Sequence, residues 1–166
     1  MLIHRNAKRH QRRGATLVEA AITILLYLTI VFGMIDLGQA VFQNHLLSSA
    51  SRELARVAIV HGSISPVIGP ARPLSTWGPA TYNGMGNSTD EIATKLRSFL
   101  FNIDPATVTV KLEWMTPSGV MGAAGSNGYG GQVRVTLTSR WSPLFTPFLP
   151  VSATTLSAVS QMTISH

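Results

Sequence analysis

The stretch Arg12-Arg13-Gly14-Ala15-Thr16-Leu17-Val18-Glu19, followed by the apolar run Ala20–Ile35, decides how this chain is organised. A hydrocarbon core of about 30 Å requires about 20 mostly apolar residues in a helix. Residues 15–35 supply that length and contain a single charged residue, Glu19. Because a charge inside a membrane segment costs about 2.5–3.5 kcal/mol on insertion scales, the carboxylate indicates a function.

The positive charge of the chain is concentrated before the apolar run. The net charge of +6 first suggests a nucleic acid or another acidic surface as partner. Residues 1–14, however, contain no acidic residue and five basic ones, which are Arg5, Lys8, Arg9, Arg12 and Arg13. The remainder carries eight basic and seven acidic residues, so we expect no nucleic-acid partner. Basic residues beside a first membrane segment hold that side in the cytoplasm, which predicts a cytoplasmic N-terminus and an extracytoplasmic remainder.

Catalytic and metal-binding patterns are weak in this sequence. The absence of cysteine excludes thiolate metal sites and cysteine nucleophiles. The five histidines (His4, His10, His45, His61 and His166) include no pair with zinc-site spacing. No nucleophile elbow lies near His61, and no acid completes a triad there. We therefore expect no enzyme, no metal, no cofactor and no small-molecule substrate.

The apolar run is predicted to begin a helix that continues beyond the membrane. No proline occurs between Met1 and Ser65, so the helix is expected from Ala15 to about residue 60. Residues 1–14 are interpreted as a basic leader, 15–36 as the transmembrane half of the helix and 37–61 as its extracytoplasmic half. The apolar stripe of the second half is predicted to consist of Leu37, Val41, Leu47, Ala50, Leu54 and Val57.

Residues 62–166 are predicted to form a small α+β head. Ser88 to Glu91 resembles a capping box, and residues 107–115 alternate apolar and polar side chains as a half-buried strand does. The Gly-rich residues 117–131 are interpreted as a flexible hairpin loop, because a phosphate-binding loop would be followed by a helix. The predicted elements are a loop at 62–88, a helix at 88–102 and strands at 107–115, 132–140 and 153–165. An antiparallel sheet of three or four strands, packed on both helices, satisfies their apolar faces.

The loop Ser142-Pro143-Leu144-Phe145-Thr146-Pro147-Phe148-Leu149-Pro150 is unusually apolar. Such a loop can dock on lipid or on a partner protein, or it can be covered by the protein itself. Covering by the protein is the favoured interpretation, and the other two remain open.

The residues around Gly14 resemble the type IV prepilin signature. In that family a basic leader ends in glycine, a membrane aspartyl peptidase cleaves after the glycine, and a glutamate stands at mature position five. The resemblance implies cleavage between Gly14 and Ala15 and makes Glu19 the fifth mature residue. It also implies that Glu19 pairs with the new amino terminus of a neighbouring subunit during assembly. The alternative is that the side chain of Glu19 simply extends to the membrane interface.

The chain as a whole resembles the TadE-like branch of the tight-adherence (Flp) pilus system, densely over residues 12–61 and loosely over 107–164. It departs from that branch at Leu25, which often is proline, and at Leu54, which often is glycine. Ala20 stands where major Flp pilins place tyrosine, which argues against a major pilin.

The resemblance implies a pseudopilin or minor pilin that helps to assemble, prime or regulate a Flp/Tad-type pilus or a related secretion filament. Its expected partners are the cytoplasmic membrane, the prepilin peptidase, other pilins and pseudopilins, and the pilus assembly platform. It would be a single-pass protein of the bacterial cytoplasmic membrane with an extracytoplasmic head. The alternative is an uncleaved, signal-anchored surface protein whose head binds a ligand or partner.

Overall fold

A computed structural model describes residues 7–63, 75–145 and 152–165, with side chains from Gly14 onward. These described residues form two helices, a short 3-10 helix and four strands. In chain order these are α1 (Ala7–Val60), β1 (Tyr82–Met85), α2 (Glu91–Phe99), the 3-10 helix (Pro105–Thr107), β2 (Val108–Met115), β3 (Gln132–Trp141) and β4 (Thr154–Thr163). The predicted α+β class, with one long helix and a small antiparallel sheet, is confirmed.

Helix α1 begins at Ala7, earlier than the predicted start at Ala15. The leader residues between these positions are mostly Lys, Arg, Gln and Ala, which are strong helix formers. Gly14 costs a helix interior only about 1 kcal/mol. The second part of the leader therefore continues the same helix, and residues 1–6 of the leader lie outside the described residues.

The chain divides into two compact units. The first comprises Met1–Gln39 together with Ser142–Ser152, that is, the N-terminal part of α1 and the segment that connects β3 to β4. The second comprises Ala40–Trp141 and Ala153–His166, which include the C-terminal part of α1, α2 and the sheet.

The second unit is built on an antiparallel sheet in the order β1-β2-β3-β4. The register places Val110 opposite Leu137, and Leu137 opposite Ala158, on one face. This face forms the core with the C-terminal part of α1 and with Leu96 of α2. The helix α1 contributes Leu47, Ala50, Leu54, Ala55 and Ala58, all buried. The three tryptophans, Trp77, Trp114 and Trp141, are also buried.

The apolar stripe of α1 begins later than predicted. Leu37 and Val41 are exposed, whereas Leu47 is buried. Both positions have the correct helical spacing, but α1 starts to pack in the second unit only about two turns further along the chain. The prediction was therefore wrong for Leu37 and Val41 and correct from Leu47 onward.

Two predictions about the region before α2 were wrong. Residues 82–85, expected to belong to the loop at 62–88, form β1, because Asn83 and Gly84 pair with Lys111 and Val110 of β2. The capping box is absent as well, since Asp90 is the N-cap residue and makes no side-chain cap hydrogen bond.

Helix α2 ends at Phe99, three residues before the predicted Asn102. Asn102 instead adopts the left-handed conformation, with φ of 58°. Asparagine tolerates that conformation better than most residues do. A residue in the left-handed conformation cannot continue a right-handed helix.

Candidate membrane and assembly site

Residues 14–28 of α1 present an apolar surface on which every residue is exposed. Among the described residues, one helix is long and apolar enough to cross a membrane, Gly14–Val60, and none of its most apolar 18-residue window is buried. A core helix of the same composition would be mostly buried. The exposed large side chains include Leu17, Val18, Ile22, Ile24, Leu25, Leu26, Tyr27 and Ile30.

Two threonine hydroxyl groups in this apolar segment are satisfied by the helix itself. Thr23 Oγ1 donates a hydrogen bond of 2.8 Å to the carbonyl oxygen of Glu19, and Thr29 Oγ1 donates one of 2.8 Å to that of Leu25. Bonding to the carbonyl four residues earlier is the usual way in which a helix accommodates threonine in apolar surroundings. These threonines therefore need no polar partner from another chain.

Glu19 differs from the threonines. Its side chain is exposed, and among the side chains described from Gly14 onward its carboxylate takes part in no hydrogen bond or ion pair. A carboxylate in a membrane segment is costly unless a cation or a donor pairs with it. The geometry leaves Glu19 available to a partner outside this chain.

The predicted cleavage position lies one turn before Glu19. Gly14 and Ala15 are both exposed in α1, and a Cβ added at Gly14 would meet nothing within 4 Å. Packing within the chain therefore does not require glycine at this position. Of the predicted basic cluster, Arg5 lies outside the described residues, and Lys8, Arg9, Arg12 and Arg13 are described only as backbone of α1.

Asp36 is a functional candidate that the sequence reasoning missed. Its side chain is 3% exposed. Its carboxylate accepts hydrogen bonds from the backbone N–H groups of Leu144 (3.0 Å) and Phe145 (3.3 Å). One turn earlier, the ring of Phe32 stacks on that of Phe145 with centroids 4.2 Å apart. The sequence shows both the charged residue at the end of the apolar run and the apolar loop. It does not show that they meet, because 108 residues separate the bonded partners.

The apolar loop is only partly covered. Pro143 is buried and Phe145 is half-buried, whereas Leu144 is 62% exposed. The prediction of a covered loop therefore holds for two of these three residues. Residues 146–150 of the same prediction lie outside the described part of the chain.

A polar cluster joins the end of α1 to α2 in the second unit. His61 stacks on Trp77 with ring centroids 4.3 Å apart, and its Nε2 lies 3.8 Å from Oε1 of Glu91. The hydroxyl of Ser75 donates to the other oxygen of Glu91. This hydrogen bond from Ser75 is the main cause that lowers the pKa of Glu91, with smaller contributions from Trp77 and His61, while partial burial opposes them.

The geometry of this cluster is structural rather than nucleophilic. In a triad the hydroxyl donates to a histidine, which accepts the proton. Here Ser75 donates to the carboxylate of Glu91, and Nδ1 of His61 lies 2.8 Å from the carbonyl oxygen of Val57. In the described residues, no group of three His, Cys, Asp or Glu side chains could hold a metal ion.

The Gly-rich connection between β2 and β3 is tied to the same region. Asn127 is buried, and its Nδ2 donates to the carbonyl oxygen of Trp77 at 2.9 Å. The backbone N–H of Ser63 donates to the carbonyl oxygen of Asn127 at 2.8 Å. The predicted hairpin connection is present, and these bonds attach it to Trp77 and to Ser63, which follows the end of α1.

A long helix with an exposed apolar N-terminal part, continued by an α+β head, fits a single-pass membrane protein. Residues 14–56 match the family model of TadE-like proteins, which confirms the predicted resemblance over that segment. The matched segment contains Gly14, Ala15, Glu19 and Asp36. No curated protein and no solved structure matches the chain significantly.

Proposed function

We propose that this chain is a TadE-like minor pilin or pseudopilin with a non-enzymatic role. It would help to assemble, prime or regulate a Flp/Tad-type pilus or a related secretion filament. The observation that carries the proposal is the family match, which begins at Gly14, together with the exposed carboxylate of Glu19 four residues beyond Ala15. The prepilin peptidase would cleave between Gly14 and Ala15.

Cleavage would create the partner that Glu19 lacks. The new α-amino group of Ala15 is positively charged and stands at the N-terminus of the helix, where the backbone dipole is also positive. In a bundle of identical or related helices, Glu19 of one subunit can pair with that group on a staggered neighbour. Such a pair is strong in low dielectric, and leaving the carboxylate unpaired there is costly. Assembly would thus be the step that neutralises Glu19.

The proposed location is the bacterial cytoplasmic membrane, with the N-terminus in the cytoplasm and the head outside. The five basic residues before Gly14 support this orientation. The proposed partners are other pilins and pseudopilins and the pilus assembly platform, and the mature protein would become part of the filament or of its base.

A second candidate is an uncleaved, signal-anchored surface protein whose head binds a ligand or partner. It is favoured by one observation, namely that α1 runs without interruption from Ala7 through Gly14. In that case the basic leader would remain as the cytoplasmic end of the anchor.

The two candidates differ in the mature N-terminus. Mass spectrometry of the protein from its native envelope should find Ala15 as the first residue, and a retained leader would contradict the pilin proposal. Gly14→Val should block processing, whereas Gly38→Val on the same helix should be processed normally. The two variants are matched, because an added Cβ meets nothing within 4 Å at either position.

A further inference from the structure

The described residues that directly follow β3 have an apolar surface that the proposed function does not use. Residues 141–165 contain no Asp, Glu, Lys or Arg. Within this region Leu144 is 62% exposed. We infer that Pro143, Leu144 and Phe145, named here the β3–β4 segment, enter the outer interface of the lipid bilayer beside α1. The inference rests on the membrane placement of α1 in the proposed function, but not on cleavage or assembly.

The level at which Phe145 contacts α1 supports its placement at the outer interface of the bilayer. Its ring stacks on Phe32, which belongs to the apolar run and precedes Asp36 by four residues. At 1.5 Å per residue, Phe32 lies about 6 Å closer to the membrane centre than Asp36. If residues 15–36 span the hydrocarbon core, which needs about 20 residues, Asp36 lies at the outer edge of that core, and the ring of Phe145, which stacks on Phe32, lies just inside that edge.

The hydrogen bonds of Asp36 remove the main obstacle to such a placement. Unsatisfied backbone polar groups are costly where water is scarce, so backbone that approaches the hydrocarbon core needs its N–H groups paired within the protein. The N–H groups of Leu144 and Phe145 both donate to the Asp36 carboxylate. Asp36 is itself shielded, being 3% exposed. It therefore acts as a positioning residue, which holds the β3–β4 segment against α1 with two N–H groups already paired.

Lipid explains the exposed Leu144 better than a partner protein does. The segment contacts the last turns of the apolar run, so the surface of Leu144 is continuous with the part of α1 that would face lipid. It carries no charge of its own for a partner to recognise. Amphipathic segments that bind the interface bury their apolar side chains about 5–10 Å into the boundary between headgroups and acyl chains.

The chain contains no cysteine, so a single introduced cysteine can carry an environment-sensitive fluorophore. The probe positions are Leu144→Cys, with Leu26→Cys as the lipid control and Val159→Cys on β4 as the water control. All three native side chains are at least half exposed, at 62%, 64% and 60%. The full chain is reconstituted in vesicles of phosphatidylcholine and phosphatidylglycerol, and quenching by lipids with brominated acyl chains is measured.

We expect the label at Leu144 to be blue-shifted and quenched several-fold more than the label at Val159. If the label at position 26 is quenched but the label at position 144 is quenched no more than the label at position 159, the inference is wrong. The membrane placement of α1 is then still supported. If Leu26 is not quenched either, the membrane placement of α1 fails and the inference fails with it. Shielding of Leu144 that develops only as the protein-to-lipid ratio rises would indicate a neighbouring protein and would also overturn the inference.

The role of Asp36 is tested in the same system. Asp36→Ala should reduce the quenching at Leu144 several-fold and leave the quenching at Leu26 unchanged. Tryptophan fluorescence verifies that the head remains folded in this variant. Unchanged quenching at Leu144 would show that Asp36 does not position the segment.

Discussion

Helix α1 carries two carboxylates in its apolar N-terminal part, and the structure treats them differently. Glu19 is exposed, and its carboxylate has no partner among the described side chains. Asp36 is buried and accepts two hydrogen bonds from the backbone of the β3–β4 segment. Each residue is costly in lipid on its own. The free-energy cost of Asp36 in lipid is offset by donors within the chain. The cost of Glu19 can be offset only by another molecule.

This difference separates folding from assembly. Replacing Asp36 should damage the protein itself, because the backbone donors lose their acceptor. Replacing Glu19 should leave the isolated protein intact and affect only what it joins. The three predictions below test that separation, from the largest expected effect on the folded chain to the smallest.

Asp36→Ala should have the largest effect. Hydrogen bonds to a charged group contribute about 1.5–3 kcal/mol, and each 1.4 kcal/mol corresponds to about tenfold in an equilibrium. We expect chymotryptic cleavage after Leu144 or Phe145, in the full chain in detergent micelles, to become about tenfold faster or more. Asp36→Asn keeps one acceptor oxygen and should show a smaller increase. Equal cleavage rates in Asp36→Ala and Glu19→Ala would contradict the proposed difference between the two carboxylates.

Glu91→Gln should have an intermediate effect, since Glu91 has partners within the chain but its side chain is 47% exposed. We expect a loss of less than about 1 kcal/mol in the free energy of unfolding at neutral pH, because solvent screens such contacts. Unfolding followed by the fluorescence of the buried tryptophans measures it.

The effect of Glu91→Gln should depend on pH in one direction. Because the folded pKa of Glu91 is lowered, its contribution is fully present above the ordinary glutamate pKa of about 4.3. It is lost as the pH falls through the folded value. The difference in stability between wild type and Glu91→Gln should therefore narrow between about pH 7 and about pH 3. A difference that stays constant or widens on acidification would contradict the bonding of Glu91 described here.

Glu19→Ala should have the smallest effect on the folded chain. Surface substitutions usually change stability by no more than about 0.5 kcal/mol, and we expect unfolding and chymotryptic cleavage to match the wild type. Recruitment into the filament, measured by cross-linking to neighbouring pilins in the native envelope, should be lost. Glu53→Ala is the matched control on the same helix, since Glu53 pairs with Arg56 at 2.9 Å within the chain. Normal recruitment of Glu19→Ala would contradict the assembly role.

The sequence predicted the elements whose signal is local. The alternation of residues 107–115 predicted a half-buried strand, and Val108 and Val110 of β2 are buried accordingly. Strand β1 was missed because it has four residues and contains Asn83-Gly84, a combination typical of turns. Its extended conformation depends on pairing with β2, which no local pattern reveals.

The predictions for the apolar positions of α1 failed in a related way. Helical spacing places Leu37 and Leu47 in one pattern, yet the first is exposed and the second is buried. Spacing defines a face of a helix, but the length over which that face is covered depends on where other elements pack. Sequence periodicity alone therefore could not locate the start of the core.

The sequence by itself determined the apolar run long enough to span a membrane, the basic residues before it, and the spacing of Gly14, Ala15 and Glu19. These are properties of nearby residues in the chain, and their length, charge and spacing do not depend on how the chain folds. Only the tertiary structure decided that Asp36 is paired within the chain while Glu19 is not. A buried carboxylate needs donors, and the donors for Asp36 come from Leu144 and Phe145, which approach it only after the chain has folded.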